Sequence, residues 1–233
     1  MTAPAWLRPL LEAVAAEESV FPGLGGSEPP DDVRRSAVLV LFGEGPRGPD
    51  VLLIERSPHL RSHAGQPAFP GGGIDPADDG PVDAALREAQ EETGLDPSGV
   101  EVLAVLPDLW VPPSGNVVTS VLGWWHTPSD VTTADAREVA AVARVPIAEL
   151  ADPANRLQIQ HPSGLLGPAF EVADMLVWGF TAGVLSRLLT LAGWERPWDH
   201  ERTAELPAEK LRLARRQRQL ADPNPDTSTD GEH

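Results

Sequence analysis

The sequence predicts an α+β fold, because strand-like and helix-like segments alternate along a chain of 233 residues. Residues 37–42 and 51–54 are apolar runs on either side of a Gly/Pro-rich turn, a pattern typical of a β-hairpin. Residues 81–93 have helical periodicity, and Pro81 suits the first turn while Gly94 suits the C-terminal cap. A chain of this length builds one domain or at most two small ones.

The other elements follow from the same patterns in chain order. Apolar residues at helical spacing predict a short amino-terminal helix through Trp6, Leu7, Leu10, Leu11 and Val14. Strands are expected at 100–106, at 117–125 and within 170–178, and helices at 146–151 and 179–192. We therefore divide the chain into an amino-terminal helix and linker (1–35), a central domain (36–195) and a polar, largely disordered tail (196–233).

The composition excludes several classes of function. The formal net charge of −17 disfavours binding to nucleic acids, because an acidic surface repels phosphate backbones. The absence of cysteine rules out disulfides, thiolate catalysis and cysteine-ligated metal centres. With Lys210 as the only lysine, the sequence has no P-loop. Anion recognition must therefore depend on arginine, histidine, backbone amides or bound cations.

One apolar segment has the length of a membrane span, namely residues 175–194. Arg187 lies inside it, and glycine, serine and threonine interrupt it, so a buried helix is the better interpretation. The amino terminus lacks the basic region and cleavage site of an export signal. We expect a soluble, cytoplasmic protein that has no membrane partner.

Three carboxylates lie close together on the predicted helix 81–93. At about 100° per residue, Glu92 lies near +40° and Glu91 near −60° from Glu88, so the three share an arc of about 100°. The adjoining sector is apolar or small and should face a sheet; it contains Val82, Ala85, Leu86, Ala89 and Thr93.

This carboxylate cluster is unfavourable on a bare helix. Like charges at i,i+4 cost about 0.2–0.5 kcal/mol per pair, and Asp78 and Asp79 in the preceding loop add negative charge. A hard divalent cation such as Mg²⁺ resolves the repulsion, because it takes oxygen ligands and keeps waters for a substrate phosphate. A solvated acidic face is the alternative explanation.

The segment from Arg87 to Leu95, Arg-Glu-Ala-Gln-Glu-Glu-Thr-Gly-Leu, resembles the second half of the Nudix box, the motif of the Nudix hydrolases. The first half of the box, a glycine followed after five residues by glutamate, is altered. Gly73 and Asp79 keep its spacing with aspartate in place of glutamate, whereas Gly72 and Asp78 fit with one extra residue before Arg87. The sequence leaves the choice between the two aspartates open.

The flanking residues resemble the coenzyme A pyrophosphatase branch of that family. Residues 52–72 match its pattern Leu-Leu-Thr-x-Arg-Ser/Ala, three residues, Arg, three residues, Gly, three residues, Phe-Pro-Gly-Gly, with Ile54 as the one mismatch. Segments 113–123, 145–156 and 177–182 are also similar to that branch. The resemblance covers about residues 36–195.

The resemblance implies a Nudix fold, an α/β/α sandwich with a mixed sheet, and an enzyme that depends on Mg²⁺ or Mn²⁺. It implies hydrolysis of coenzyme A, and of its thioesters, to 3′,5′-ADP and 4′-phosphopantetheine or its acylated form. The substrate is then a small molecule, and assembly as a homodimer is left open. Two alternatives stay open: a Nudix pyrophosphatase for ADP-ribose, dinucleotides or nucleoside triphosphates, and a degenerate Nudix domain that only binds nucleotides.

The resemblance and the chemistry together predict the site residues. The metal ligands are Glu88, Glu91 and Glu92, and the catalytic residues are Glu91, Glu92 and Glu138. Glu138 is either a further ligand, a general base or an exposed loop residue. The substrate-binding residues are Arg56, Arg61 and Gly72, since guanidinium groups bind phosphate bidentately. Arg87 is expected to orient carboxylates through ion pairs with Asp83 and Glu91.

Overall fold

A computed structural model describes residues 3–16, 20–21, 29–30, 33–60, 64–112, 115–160 and 166–208. Its helices are α1 (Arg8–Ala16), α2 (Pro81–Thr93), α3 (Ile147–Leu150) and α4 (Gly179–Leu191). Its strands are β1 (Arg34–Gly45), β2 (Gly48–Arg56), β3 (Pro67–Ala68), β4 (Gly71–Gly73), β5 (Val100–Val105), β6 (Leu109–Val111), β7 (Asn116–Trp125), β8 (Val139–Pro146), β9 (Arg156–Gln160), β10 (Leu166–Val172), β11 (Met175–Val177) and β12 (Thr203–Glu205).

The larger sheet is mixed and is centred on β1. Along one edge β1 runs parallel to β7. Along its other edge it pairs antiparallel with β4 in its amino-terminal half and with β2 in its carboxy-terminal half. β2 pairs with β8 along its other edge and with β3 at Ile54 and Glu55, while β5 and β6 pair with β7. Strand β4 therefore lies beside the amino-terminal half of β1, next to the end of β2.

Successive residues of β1 point to opposite faces of this sheet. Leu39 and Leu41 pack with Ala84, Ala85 and Ala89 of α2 on one face. The opposite face packs against α1 and α4 through a larger core that contains Val40, Phe42, Leu7, Leu10, Leu185 and Leu188. The arrangement is the expected α/β/α sandwich, and the alternation in β1 explains how one strand contributes to both cores.

The prediction for α2 is confirmed in its bounds and its cap. The helix spans Pro81–Thr93, and Gly94 ends it with φ of 70°, a left-handed conformation that glycine adopts without steric cost. Ala85, Ala89 and Thr93 are buried as expected. Val82 and Leu86 are half-buried and contact the rim of the same core, because small alanines, rather than the larger residues, face the sheet most closely.

A smaller sheet has the order β11-β10-β9-β12. Its β9 was not predicted from the sequence, and its edge strand β12 lies in the segment expected to be a polar tail. Arg156 of β9 is fully buried; it donates to Glu195 at 2.8 Å and its guanidinium lies over the ring of Trp198, with 4.5 Å to the centroid. These contacts join residues 195–205 to the small sheet, while residues 209–233 lie outside the described part of the chain.

The amino-terminal helix is integrated into the main core. Trp6, which precedes it, lies 5.8 Å from Trp124 and 5.6 Å from Trp194 between ring centroids, and 6.3 Å from Phe42. Leu7 and Leu10 are fully buried. Four distant parts of the chain therefore meet in one aromatic cluster.

The apolar segment 175–194 forms β11 and the 13-residue α4, separated by a short turn. Within the described residues, no helix is both long enough and apolar enough to cross a bilayer.

Candidate active site

Glu92 is the most deeply buried carboxylate of α2, with 2% of its surface exposed. Its Oε2 accepts a hydrogen bond from the backbone N–H of Gly71 at 2.9 Å, and its Oε1 accepts one from Nη1 of Arg56 at 3.0 Å. Burial raises the pKa of Glu92 to about 7. The two hydrogen-bond donors counteract this rise, whereas the negative charges of Glu88 and Glu138 add to it.

Glu88 lies one turn earlier in α2, directly above β4. A Cβ atom added to Gly72 would lie 2.4 Å from Cδ and Oε1 of Glu88, so the glycine leaves the space that this carboxylate occupies. Burial raises the pKa of Glu88, the bond from Arg87 lowers it, and the charges of Glu91 and Glu138 raise it again. Gly72, predicted to bind substrate, therefore contacts a predicted metal ligand in the structure.

Arg87 connects most of the remaining acidic groups. Its Nη1 donates to Glu88 at 3.1 Å and to Glu91 at 3.2 Å, and its Nη2 donates to the carbonyl of Gly73 at 3.1 Å. Asp78 accepts from both Nε and Nη2 of Arg87 at 2.9 Å, which lowers the pKa of Asp78.

The same contacts bear on the expected ion pairs of Arg87 and on the two loop aspartates. The pairing of Arg87 with Glu91 is present, but the pairing with Asp83 was wrong. Asp83 instead accepts a bond from the backbone N–H of Asp79 at 3.3 Å, because both residues lie at the amino-terminal end of α2. Of the two loop aspartates, Asp78 pairs with Arg87.

Glu138 joins the site from a different part of the chain. The negative charge of its exposed side chain contributes to the raised pKa of both Glu88 and Glu92. Its backbone is tied to the end of β2, because the carbonyl of Glu138 accepts a hydrogen bond from the N–H of Ser57 at 2.8 Å.

No pattern in the sequence indicated the contact of Gly71 with Glu92, because that contact depends on the folded sheet.

Of the other two predicted substrate-binding residues, Arg56 and Arg61, the structure describes only Arg56. Arg56 reaches the carboxylate cluster through Glu92, and its side chain is 21% exposed. Arg61 lies outside the described residues.

Four carboxylates, Asp78, Glu88, Glu91 and Glu92, accept hydrogen bonds from the guanidinium groups of Arg56 and Arg87 in this cluster, and the charge of Glu138 acts on two of them. The excess of negative charge and the all-oxygen donor set fit a hard divalent cation. In the side-chain positions of the described residues, no three acidic or histidine groups converge closely enough to hold a metal. Binding a cation therefore requires some of the glutamate side chains to move.

Comparison with known proteins finds similar chains in one family. The NUDIX domain family model matches residues 32–163. The uncharacterized Nudix hydrolase NudL of Escherichia coli K12 is 40% identical over 168 residues, which cover 69% of this chain and 83% of NudL. NudL of Shigella boydii serotype 4 gives the same values. The crystal structure of RenU, a Nudix hydrolase from M. smegmatis, aligns with a TM-score of 0.49 and 21% identity over 72% of this chain and 90% of RenU.

The fold is an α/β/α sandwich, and its helix α2 presents several carboxylates along one face of the larger sheet. The chain belongs to the Nudix family and is a Nudix hydrolase. Nudix hydrolases generally use divalent metal ions, and they act on small molecules.

The two neighbouring glycines of β4 provide a test of the site's geometry. Gly72→Ala should leave the fold within about 1 kcal/mol of wild type, because its Cβ meets only the movable end of Glu88, but it should lower activity about tenfold or more. Gly71→Ala should instead cost at least about 2 kcal/mol, because its Cβ would lie 2.3 Å from the backbone carbonyl of Ala37. Urea unfolding and steady-state kinetics measure both. A Gly72→Ala enzyme with full activity would contradict the assigned position of Glu88.

Proposed function

We propose that this protein is a Mg²⁺- or Mn²⁺-dependent pyrophosphatase that hydrolyses coenzyme A, and its thioesters, to 3′,5′-ADP and 4′-phosphopantetheine or its acylated form. The observation that carries the proposal is the position of the segment 52–72, which resembles the coenzyme A branch. Arg56, Gly71 and Gly72 of that segment contact Glu92 or Glu88, so its two described ends border the carboxylate site.

Glu88, Glu91 and Glu92 would hold the cations, which when bound supply Lewis acidity and a water of lowered pKa. Arg87 orients Glu88 and Glu91 by donating to both, and Asp78 in turn holds Arg87. Glu138 has an exposed carboxylate whose charge acts on Glu88 and Glu92, and it is our candidate for accepting a proton from the attacking water. The chain thus has candidates for metal ligation, for orientation of the ligands and for general-base catalysis.

A pure nucleotide-binding role is less consistent with this site. A binding domain gains nothing from Glu88 and Glu92, which are held close together at the cost of burying negative charge. Cleavage of ADP-ribose, dinucleotides or nucleoside triphosphates is the stronger alternative, because the carboxylate machinery suits any diphosphate. Action in the cytoplasm and assembly as a homodimer remain parts of the proposal.

A substrate panel tests the choice of substrate. Coenzyme A, dephospho-coenzyme A, ADP-ribose and a dinucleotide are incubated with the enzyme and Mn²⁺, and the products are identified by mass spectrometry. Coenzyme A should yield 3′,5′-ADP. Efficient cleavage of ADP-ribose without any of coenzyme A would replace the proposed substrate by the alternative.

Arg61 provides a sharper test, because an acidic protein needs a local cation for the 3′-phosphate that distinguishes coenzyme A. Arg61→Ala should lower kcat/KM for coenzyme A by about ten- to a hundredfold, the effect of losing a charge-assisted bond worth about 1.5–3 kcal/mol. Dephospho-coenzyme A, which lacks that phosphate, should be affected much less. Equal losses on both substrates would remove Arg61 from the recognition of the 3′-phosphate.

A further inference from the structure

Glu92 is hydrogen-bonded to both ends of one loop. Arg56, which donates to its Oε1, is the last residue of β2, and Gly71, which donates to its Oε2, is the first residue of β4. Between them lie β3 and residues 57–66, of which 61–63 are outside the described part of the chain. One carboxylate of α2 therefore joins the end of β2 to the start of β4.

The position of Arg56 follows from the sheet. Alternate residues of β2 share a face, so Arg56 lies on the same face as Leu52, which packs in the core beneath α2. The pairing of β2 with β8 shifts register between Glu55 and Arg56, and such irregularities re-aim side chains at the ends of strands. The guanidinium is consequently directed at α2 rather than along the sheet.

The two arginines of the cluster have different partners. Arg87 donates to Asp78, Glu88 and Glu91, whereas Arg56 donates to Glu92. Among the contacts of the described residues, Arg56 is the guanidinium that neutralises the buried Glu92. Arg56 is bonded to Glu92, and only 21% of its side chain is exposed. Little of its guanidinium is therefore available to bind a substrate phosphate.

We propose that Arg56 is a positioning residue: it fixes the Glu92 carboxylate in the orientation from which that group serves the divalent cation. The inference rests on the proposed function in so far as Glu92 is a metal ligand. It replaces the expectation from sequence that Arg56 binds substrate phosphate. Partners that orient a ligand typically change metal affinity by ten- to a hundredfold when they are removed.

The experiment measures binding of Mn²⁺ alone, without any substrate, by electron paramagnetic resonance. Arg56→Met keeps the apolar stem and removes the guanidinium, and Arg56→Lys keeps a positive charge without the planar donor geometry. Arg47→Met is the matched control, because Arg47 is an exposed arginine in the β1–β2 turn and pairs with Glu149. Circular dichroism establishes that each variant is folded.

Arg56→Met should raise the Kd for Mn²⁺ by about ten- to a hundredfold, Arg56→Lys by less, and Arg47→Met should match wild type. Saturating Mn²⁺ should recover most of kcat in Arg56→Met. In a Glu92→Gln background, Arg56→Met should change the Kd little further, since the two residues act through one contact. If Arg56→Met does not fold, Arg56→Lys and the Glu92→Gln background give the answer.

A wild-type Kd for Mn²⁺ in both Arg56 variants, together with a raised KM, would overturn the inference and return Arg56 to the substrate. This outcome is distinct from failure of the proposed function. An enzyme that binds Mn²⁺ through Glu92 but does not cleave coenzyme A would refute the substrate and leave the role of Arg56 intact.

Discussion

Replacing Glu92 with glutamine is expected to lower kcat/KM by at least about a hundredfold and to remove most of the stabilisation that Mn²⁺ gives the protein. A cation that binds only the folded state stabilises it by about 2.7 kcal/mol at a hundredfold excess over Kd. A neutral amide is a poor ligand for a hard cation, so this gain should largely disappear. Thermal unfolding with and without Mn²⁺ measures the change.

The metal-free Glu92→Gln protein should stay within about 1 kcal/mol of wild type at neutral pH. Its amide oxygen can accept from Gly71 or Arg56 but not from both, and removal of a buried charge offsets that loss. Glu205→Gln, an exposed substitution in β12, is the matched control and should respond to Mn²⁺ like wild type. An undiminished response to Mn²⁺ in Glu92→Gln would show that Glu92 is not a ligand.

The metal-free protein should lose stability as the pH rises from about 4.5 to about 7. Burial raises the pKa of Glu92 from an ordinary 4.5 to about 7, so the folded state holds this proton more tightly than the unfolded state. Below pH 4.5 both states are protonated, and above pH 7 the folded state bears the full cost of a buried charge. At 1.36 kcal/mol per pKa unit, the decrease is about 3 kcal/mol.

Urea unfolding in the presence of a chelator, at pH 5 and at pH 8, measures this decrease. Glu92→Gln should flatten the profile, because its side chain does not titrate, whereas Glu205→Gln should keep the slope of wild type. A wild-type protein equally stable at both pH values would contradict the raised pKa of Glu92. Asp78, whose pKa is lowered by Arg87, affects stability only in the more acidic range where that carboxylate becomes protonated.

Local patterns predicted α2 well, because its bounds depend on signals carried by the helix itself. Pro81 and Gly94 mark its two ends, and its periodicity places the carboxylates beside an apolar sector. The same reasoning could not show that Arg56 pairs with Glu92. Thirty-six positions separate the two residues in the chain, and their contact depends on how β2 and β4 are placed beneath α2.

Two strands of the small sheet, β9 and β12, were not predicted, whereas the strand expected within 170–178 falls on β10 and β11. In β9 the buried Leu157 and Ile159 alternate with Gln158 and Gln160. This alternation is typical of a strand, but it extends over only five residues and is therefore a weak signal. Strand β12 has only three residues, all exposed, and carries no such pattern. Its pairing with β9 depends on tertiary contacts.

The aromatic cluster around Trp6 gives the protein an intrinsic optical reporter. Indole rings 5.6–5.8 Å apart couple strongly enough to shape near-ultraviolet circular dichroism and tryptophan emission, so these signals follow the docking of the amino-terminal helix onto the domain. The cluster belongs to the core on the face opposite α2. Spectra recorded during titration with a colourless ion therefore distinguish events confined to the carboxylate face from loosening of the whole chain.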